Sequence, residues 1–120
     1  MSLSDTKGVA LLSKLLDLTA TKNKVIANNI ANVNTPGFKK SDVSFEKELL
    51  KAVESKDISK IKDLQESITL STAKGTRKNG NNVDLDQELV SFYQMSDRHN
   101  IYLELMSKKF SGMVAAIQGK

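Results

Sequence analysis

The feature that most constrains the fold is a set of apolar residues at alternating steps of four and three in the last third of the chain. This is the spacing of a continuous helical seam of the coiled-coil type. Two polar side chains interrupt the seam near its middle. Its positions are Leu85, Leu89, Phe92, Ser96, His99, Leu103, Met106, Phe110, Met113 and Ile117. The pattern predicts one helix over about residues 84–118, about 50 Å long at roughly 1.5 Å per residue.

Residues typical of helix ends occur at both ends of this predicted helix. Asp84 is placed to cap the first turn, and Gln87 holds the reciprocal position of a capping box. Asp86 and Glu88 add negative charge where the helix dipole is positive. Gly119 is suited to end the helix, because glycine adopts the left-handed conformation of a C-terminal cap.

The N-terminal part of the chain, about residues 5–34, has the same spacing. Its seam consists of Leu12, Leu16, Thr19, Asn23, Ile26, Ile30 and Val33. Because the segment between the helices, residues 39–83, is long enough to reverse direction, an antiparallel coiled-coil-like pair is the simplest arrangement. In such a pair Thr19 and Asn23 fall close to Ser96 and His99, which fixes the register at some cost in stability. The sequence therefore predicts an all-α, single-domain chain with a short irregular middle.

A compact motif joins the first helix to a chain reversal. It runs through Ala27, Asn28, Asn29, Ile30, Ala31, Asn32, Val33, Asn34, Thr35, Pro36, Gly37 and Phe38. Asparagine is a mediocre helix former, so the clustered amides indicate specific hydrogen bonds, either within the chain or to another subunit. Pro36 and Gly37 suit the two central positions of a type II turn from Thr35 to Phe38, or else mark a plain helix end.

The middle segment has weaker signals. Residues 44–54 predict a short amphipathic helix with Ser44 as its cap. Residues 67–72 alternate polar and apolar side chains like a strand, but too few strands are evident for a sheet, so the segment forms a hairpin or stays extended. The composition of residues 75–82 predicts a mobile loop that is disordered before assembly.

Composition argues against an enzyme and against cofactor or nucleic-acid binding. The chain has no cysteine and one histidine, so no metal-binding or catalytic set can be assembled by motif, and His99 is expected to be packed and hydrogen-bonded. The net charge is +4, but the densest basic run, residues 74–80, contains no aromatic side chain for stacking on bases. No stretch is apolar enough to span a bilayer, and the opening residues do not resemble a cleavable signal.

The motif of residues 27–38 resembles the signature near the N-terminus of bacterial flagellar axial proteins, which are the rod, hook and hook-associated subunits. The resemblance covers about the first 45 and last 40 residues. Members of this group share N- and C-terminal helices that pack together in a tubular assembly. The short middle segment favours a proximal rod subunit, and residues 82–88 and 107–112 are also similar to those of a proximal rod protein.

The resemblance implies a structural subunit of the flagellar basal-body rod, which polymerises through its terminal helices into the drive shaft between motor and hook. The implied partners are further copies, other rod subunits, the export apparatus and basal-body components. It implies no cofactor, no nucleic acid and no direct membrane insertion. The implied location is the periplasmic rod, reached without a cleaved signal peptide.

Two sets of residues are expected to carry assembly. The first is the motif itself, in particular Ala27, Asn28, Asn29, Ile30, Ala31, Asn32, Thr35, Pro36, Gly37 and Phe38. The second is the seam of Leu12, Leu16, Ile26, Ile30, Val33, Leu85, Leu89, Phe92, Leu103, Met106, Phe110, Met113 and Ile117. We expect the isolated chain to be partly disordered at its ends and to gain helix on assembly. The rival interpretation is a soluble helical-hairpin adaptor or export chaperone.

Overall fold

The structure is a computed structural model that describes residues 3–65, 67–70 and 78–119, with side chains for 6–65, 69–70 and 78–119. The described part is elongated, with a longest dimension of 65 Å. Its elements in chain order are α1 (Leu3–Ala31), β1 (Ser41–Ser44), α2 (Glu46–Glu54), α3 (Ile58–Lys62), β2 (Ser67–Leu70) and α4 (Leu85–Ile117). The two long helices and the short mixed middle confirm the predicted fold class.

Helices α1 and α4 pack against each other as an antiparallel pair. Thr19 Oγ1 lies 2.8 Å from His99 Nδ1, and the Asn23 amide donates to Ser96 Oγ at 3.0 Å. The later residue of α1 meets the earlier residue of α4, so the two helices run in opposite directions. The predicted meeting of the four polar seam residues is confirmed, as is the packed, hydrogen-bonded role of His99.

The layer formed by Thr19, Asn23, Ser96 and His99 is expected to lower the stability of the helix pair. Asn23 Oδ1 is buried and has no hydrogen-bond partner among the described residues. Replacing both members of a buried polar pair by apolar groups is often neutral or stabilising. We expect Asn23→Leu combined with Ser96→Ala to raise the free energy of unfolding by about 1 kcal/mol, measured by urea denaturation.

The control for this prediction is Asn23→Leu alone. This single variant leaves the Ser96 hydroxyl without the donor of Asn23. The free energy of unfolding should therefore rise less than in the double variant. A double variant that unfolds at lower urea than the parent would show that the layer stabilises the pair.

The ends of α4 agree with the sequence signals. The Asp84 carboxylate accepts hydrogen bonds from the backbone N–H groups of Asp86 and Gln87, at 3.1 and 3.3 Å. At the other end Gly119 has a φ of +72°, and its N–H donates to the carbonyl of Ala116 at 3.2 Å. The predicted cap and terminator are confirmed.

The middle segment contains a small sheet that was not expected from the sequence. Strand β2 is antiparallel to β1, with Ser41 opposite Leu70 and Ser44 opposite Ser67. The strand-like character of residues 67–70 is confirmed, whereas 71 and 72 lie outside the described residues. The statement that too few strands exist for a sheet was wrong, because β1 has only four residues, three of them polar, and gives little sequence signal.

The predicted start of the short helix was also wrong. Helix α2 begins at Glu46, because Ser44 is the last residue of β1 and the N-cap position falls on Phe45. The Glu46 carboxylate accepts a hydrogen bond from the Phe45 N–H at 3.1 Å, and no side chain at the N-cap position accepts from the first turn of α2. Helix α3, capped by Asp57 through the Ser59 N–H, was not predicted.

The main hydrophobic cluster lies between α1 and the middle segment. Leu18, Val43 and Phe45 are buried together. Partly buried side chains of Val25, Leu49 and Leu64 pack around them. One face of α1 therefore packs on the middle segment while another packs on α4, so α1 is enclosed from two sides.

Candidate functional site

The described residues offer no assembled chemical site. No group of three or more His, Cys, Asp or Glu among them is arranged to hold a metal ion. None of the helices within the described ranges is both long and apolar enough to cross a membrane. The features that stand out are a hydrogen-bonded junction at the motif and two apolar surfaces.

The motif ends in the predicted type II turn. The Phe38 N–H donates to the Thr35 carbonyl at 3.2 Å, and Gly37 has a φ of +72°. A side chain at Gly37 would be strained by this backbone, since φ near +72° disfavours residues with a Cβ. Pro36 at the second position presets the conformation of the turn. The interpretation as a turn is confirmed over that of a plain helix end.

Asn81 holds this turn against the start of α4. Its side-chain amide donates to the carbonyls of Asn32 and Thr35, at 2.8 and 2.9 Å. Its Oδ1 accepts from the Val83 N–H at 2.8 Å, and the whole residue is 0% exposed. The turn that follows α1 and the entry to α4 are thereby joined through one side chain.

Backbone bonds extend the same junction. The Gly37 N–H donates to the Asn79 carbonyl at 2.8 Å, and the Asn82 N–H donates to the Phe38 carbonyl at 3.3 Å. Asn82 Oδ1 accepts from the Lys40 N–H at 2.7 Å. The expectation of a mobile loop was wrong for residues 79–82, because the asparagines bind backbone groups of the turn. Residues 75–77 lie outside the described ranges.

Asn29 fixes the first strand to both long helices. Its amide nitrogen donates to the Ser41 carbonyl at 2.9 Å while its Oδ1 accepts from the Ser41 N–H at 3.0 Å. The same nitrogen donates to Glu88 Oε2 at 3.2 Å. Asn29 is 1% exposed, and the buried Glu88 carboxylate also lies 3.8 Å from Lys40 Nζ. Because an asparagine amide offers two donors and an acceptor, all three functions of this side chain are used within the subunit.

The rest of the motif faces outward or bonds locally. The Asn32 amide donates to the Asn28 carbonyl at 2.8 Å, and its Oδ1 accepts from the Thr35 hydroxyl at 3.1 Å. Ile30 and Phe38 are both partly buried. The exposed motif residues are Ala27, Asn28, Ala31, Asn34, Thr35, Pro36 and Gly37. The motif therefore serves the chain's own fold on one side and presents small or polar groups on the other.

The residues of the predicted seam are buried to different extents on the two helices. On the N-terminal side every seam residue is buried or partly buried, namely Leu12, Leu16, Ile26, Ile30 and Val33. On α4 the partly buried members are Leu89, Phe92, Met106 and Met113. The members of the α4 seam that stay exposed are Leu85, Leu103, Phe110 and Ile117. Much of the seam is thus used within the subunit, and Ile117 at the helix end is 85% exposed.

A second apolar surface on α4 was missed. We call it the outer stripe: Val90, Tyr93, Ile101 and Leu105, all exposed residues of α4 that lie outside the predicted seam. Tyr93 is 65% exposed. Val90 and Ile101 are eleven residues apart, or about three helical turns, so they lie in line. The sequence signal was this second set of apolar residues, offset from the seam, which indicates a helix with partners on two sides.

An apolar groove lies where α1, α2 and α4 meet. Its volume is about 300 Å³. We call it the α2 groove; its apolar lining includes Leu11, Leu15, Leu49, Leu50, Val53 and Tyr102. It was not predicted, since it is formed by three elements that are distant in the sequence.

Two charged residues line the α2 groove. Glu46 is paired with Lys22 at 3.1 Å. Partial burial would raise the pKa of Glu46, but hydrogen bonds from the backbone N–H groups of Phe45 and Glu46 and from Lys22 outweigh it and lower the pKa. Arg98 is exposed, and no acidic partner lies within ion-pair distance among the described residues. The unmatched charge of the groove is therefore positive.

Comparison with known proteins gives consistent matches. The family model described as "Flagella basal body rod protein" matches residues 16–39, which span the second half of α1 and the turn. The chain is 34% identical over 119 residues to the flagellar basal body rod protein FlgB of Bacillus subtilis, covering 90% of this chain and 91% of the relative. It is 29% identical to the FlgB proteins of Borrelia hermsii and Aeromonas hydrophila, covering 92% and 100% of this chain and 95% and 99% of theirs.

Proposed function

The chain belongs to the family of flagellar basal body rod proteins, and we propose that it polymerises through its long helices into the tubular shaft that transmits torque from motor to hook. It is a structural subunit of the rod, as its relatives are. The relatives are similar over nearly their whole length, so the likeness extends to the middle segment and to both long helices.

The observation that supports polymerisation is the uneven exposure of the two helices. Among the described side chains of α1, no large hydrophobic residue is exposed. On α4 nine are exposed: Leu85, Val90, Tyr93, Ile101, Leu103, Leu105, Phe110, Val114 and Ile117. These residues lie on two sides of α4, and exposed apolar surfaces of this kind are typical of protein interfaces. We propose that neighbouring rod subunits cover α4.

The free energy available from burying these side chains favours contacts with several neighbours over a contact with one. Full burial of a large apolar side chain contributes about 1.5–3 kcal/mol, and these side chains are already about half buried. Covering all nine then contributes on the order of 10 kcal/mol, which is similar to the cost of fixing one protein against another. A single contact is therefore weak, and stable growth needs each subunit to touch several others.

The junction at the motif gives the subunit a defined shape before assembly. Asn29 and Asn81 fix the strand and the turn relative to both helices. The middle segment therefore has a fixed orientation relative to the helix pair. A subunit with a fixed shape repeats the same contact at each step, and such a head-to-tail contact extends without closing. We propose that this is the role of the motif in the rod.

We propose that the subunit contacts copies of itself, other rod subunits and components of the basal body, and that it is exported through the flagellum's own secretion apparatus to the periplasmic rod. We also propose that the terminal turns of α4 become fixed only on assembly. The high exposure of Ile117 supports this last point.

The test uses a seam residue that the isolated chain leaves exposed. We expect Phe110→Glu to abolish swimming and to keep the chain out of purified basal bodies, since the new charge must be buried in a subunit contact. Its cellular level and helix content should match the parent, because Phe110 is exposed in the subunit. Immunoblotting of purified basal bodies measures incorporation.

Ser111→Glu is the matched control. Ser111 is the next residue on the same helix and is also exposed, but it lies outside the seam. It should be incorporated and support swimming. Parental amounts of the Phe110→Glu chain in rods would contradict the proposal. If the parent chain itself were absent from purified basal bodies and bound instead to another subunit in the cytoplasm, the adaptor or chaperone would be the better account.

A further inference from the structure

We propose that the outer stripe of one subunit docks in the α2 groove of the next copy of the same chain. The inference rests on the proposed function, which requires a contact that repeats from copy to copy. Of the two surfaces that meet, one is a ridge on α4 and the other is a groove. Because they are different surfaces, the contact is heterologous and leaves a free stripe at one end and a free groove at the other.

The stripe is a ridge of side chains on one helix, and the groove is a depression between three elements. The outer stripe runs along α4 from Val90 to Leu105, about 22 Å at roughly 1.5 Å per residue. Tyr93 and Ile101 are 65% and 53% exposed. The α2 groove is open to solvent on its α2 side, where Leu50 is 61% exposed. When the ridge of large side chains docks in the groove of about 300 Å³, both bury apolar surface that is exposed to solvent in the single subunit.

The charges of the two surfaces are also complementary. Asp97 and Glu104 are exposed and interleave with the outer stripe, and no described cation lies within ion-pair distance of either. The groove carries the unmatched guanidinium of Arg98, while the acidic residue in its described lining, Glu46, is already paired with Lys22. Docking therefore places acidic groups against an unpaired cation, which favours this pairing and its orientation.

The same charges disfavour a symmetric contact between two outer stripes. A twofold axis through the middle of the stripe would bring Asp97 of both copies together. Like charges at the centre of an apolar contact are unfavourable. A symmetric contact would also produce closed dimers, which cannot extend into a rod.

The experiment breaks each surface separately in the full chain. The stripe variant is Tyr93→Lys with Ile101→Lys, and the groove variant is Leu50→Lys. Each should weaken self-association at least about 30-fold, measured by sedimentation over a range of concentrations, because large central apolar residues carry most of an interface's energy. The parent should form open-ended oligomers as its concentration rises.

Mixing the two variants distinguishes the proposed contact from others. The stripe variant keeps a working groove and the groove variant keeps a working stripe, so an equimolar mixture should form 1:1 pairs that do not grow further. The controls are Ser107→Lys on α4 and Glu54→Lys on α2, which are exposed positions outside both surfaces and should associate like the parent. Circular dichroism checks folding, and any variant with reduced helix content is replaced by the corresponding serine substitution.

Three results would overturn the inference. They are a parent chain that stays monomeric at all concentrations, a groove variant that associates like the parent, and a mixture that forms no pairs. Failure here is separable from failure of the proposed function. If Phe110→Glu is excluded from rods while the mixture forms no pairs, the subunit belongs to the rod but uses other surfaces to reach its neighbour.

Discussion

Asn29→Asp is expected to lower the free energy of unfolding by about 4 kcal/mol, although it replaces a single NH₂ group by oxygen. The amide nitrogen that is lost donates to the Ser41 carbonyl and to the buried Glu88 carboxylate. The new carboxylate faces both acceptors with no proton to donate, and repulsion between two buried carboxylates adds to the two lost hydrogen bonds. Thermal or urea denaturation at neutral pH measures the loss.

The loss should shrink as the pH falls from neutral into the mildly acidic range. In the folded variant the new carboxyl binds a proton more readily than in the unfolded chain, because protonation removes the repulsion and restores a donor. Lower pH therefore stabilises the folded variant relative to its unfolded state.

Asn28→Asp is the matched control, since it makes the same chemical change at the exposed neighbouring residue. It should alter stability by no more than about 0.5 kcal/mol. Equal stability of the two variants would show that the bonds of Asn29 do not hold the junction.

Asn81→Ala is expected to cost about 3 kcal/mol, because three backbone groups each lose a hydrogen bond and the buried Val83 N–H loses its acceptor. Those groups are the carbonyls of Asn32 and Thr35 and the N–H of Val83. For a chain of this size the midpoint of thermal unfolding should fall by roughly 10 °C. Hydrogen exchange should also show faster opening at the turn and at the first turn of α4 than in the middle of the helix pair.

The control for Asn81 is Asn34→Ala, at an exposed position in the same junction. It should leave the thermal midpoint within about 2 °C of the parent. If Asn81→Ala unfolds at the parental temperature, the junction is held by the backbone bonds of Gly37 and Asn82 alone.

The periodic parts of the fold were predictable from the sequence. Steps of four and three over about thirty residues allow little besides a long helix, and two such helices joined by a long segment pair antiparallel. The polar interruptions even gave the register, since Thr19 meets His99 and Asn23 meets Ser96. The cap at Asp84 and the turn at Gly37 follow from local backbone chemistry, which neighbouring residues determine.

The parts that were missed depend on contacts between distant residues. Strand β1 has four residues and is stabilised by its partner and by burial of Val43, so its own sequence carries little signal. The binding of Asn81 to the end of α1 joins residues that are 49 positions apart. In the candidate site, one seam per helix was assumed, and the outer stripe was overlooked because Asp97 interrupts it.

The central claim is that neighbouring subunits cover the exposed face of α4 in the rod. The chain has no cysteine, so Ile101→Cys introduces a single reactive thiol on that face. The measurement is its rate of maleimide labelling in the purified subunit and in intact basal bodies, with subunits dissociated from the same basal bodies as the control. The account predicts labelling at least about tenfold slower in the intact rod, restored on dissociation; equal rates in the intact rod and the free subunit would contradict it.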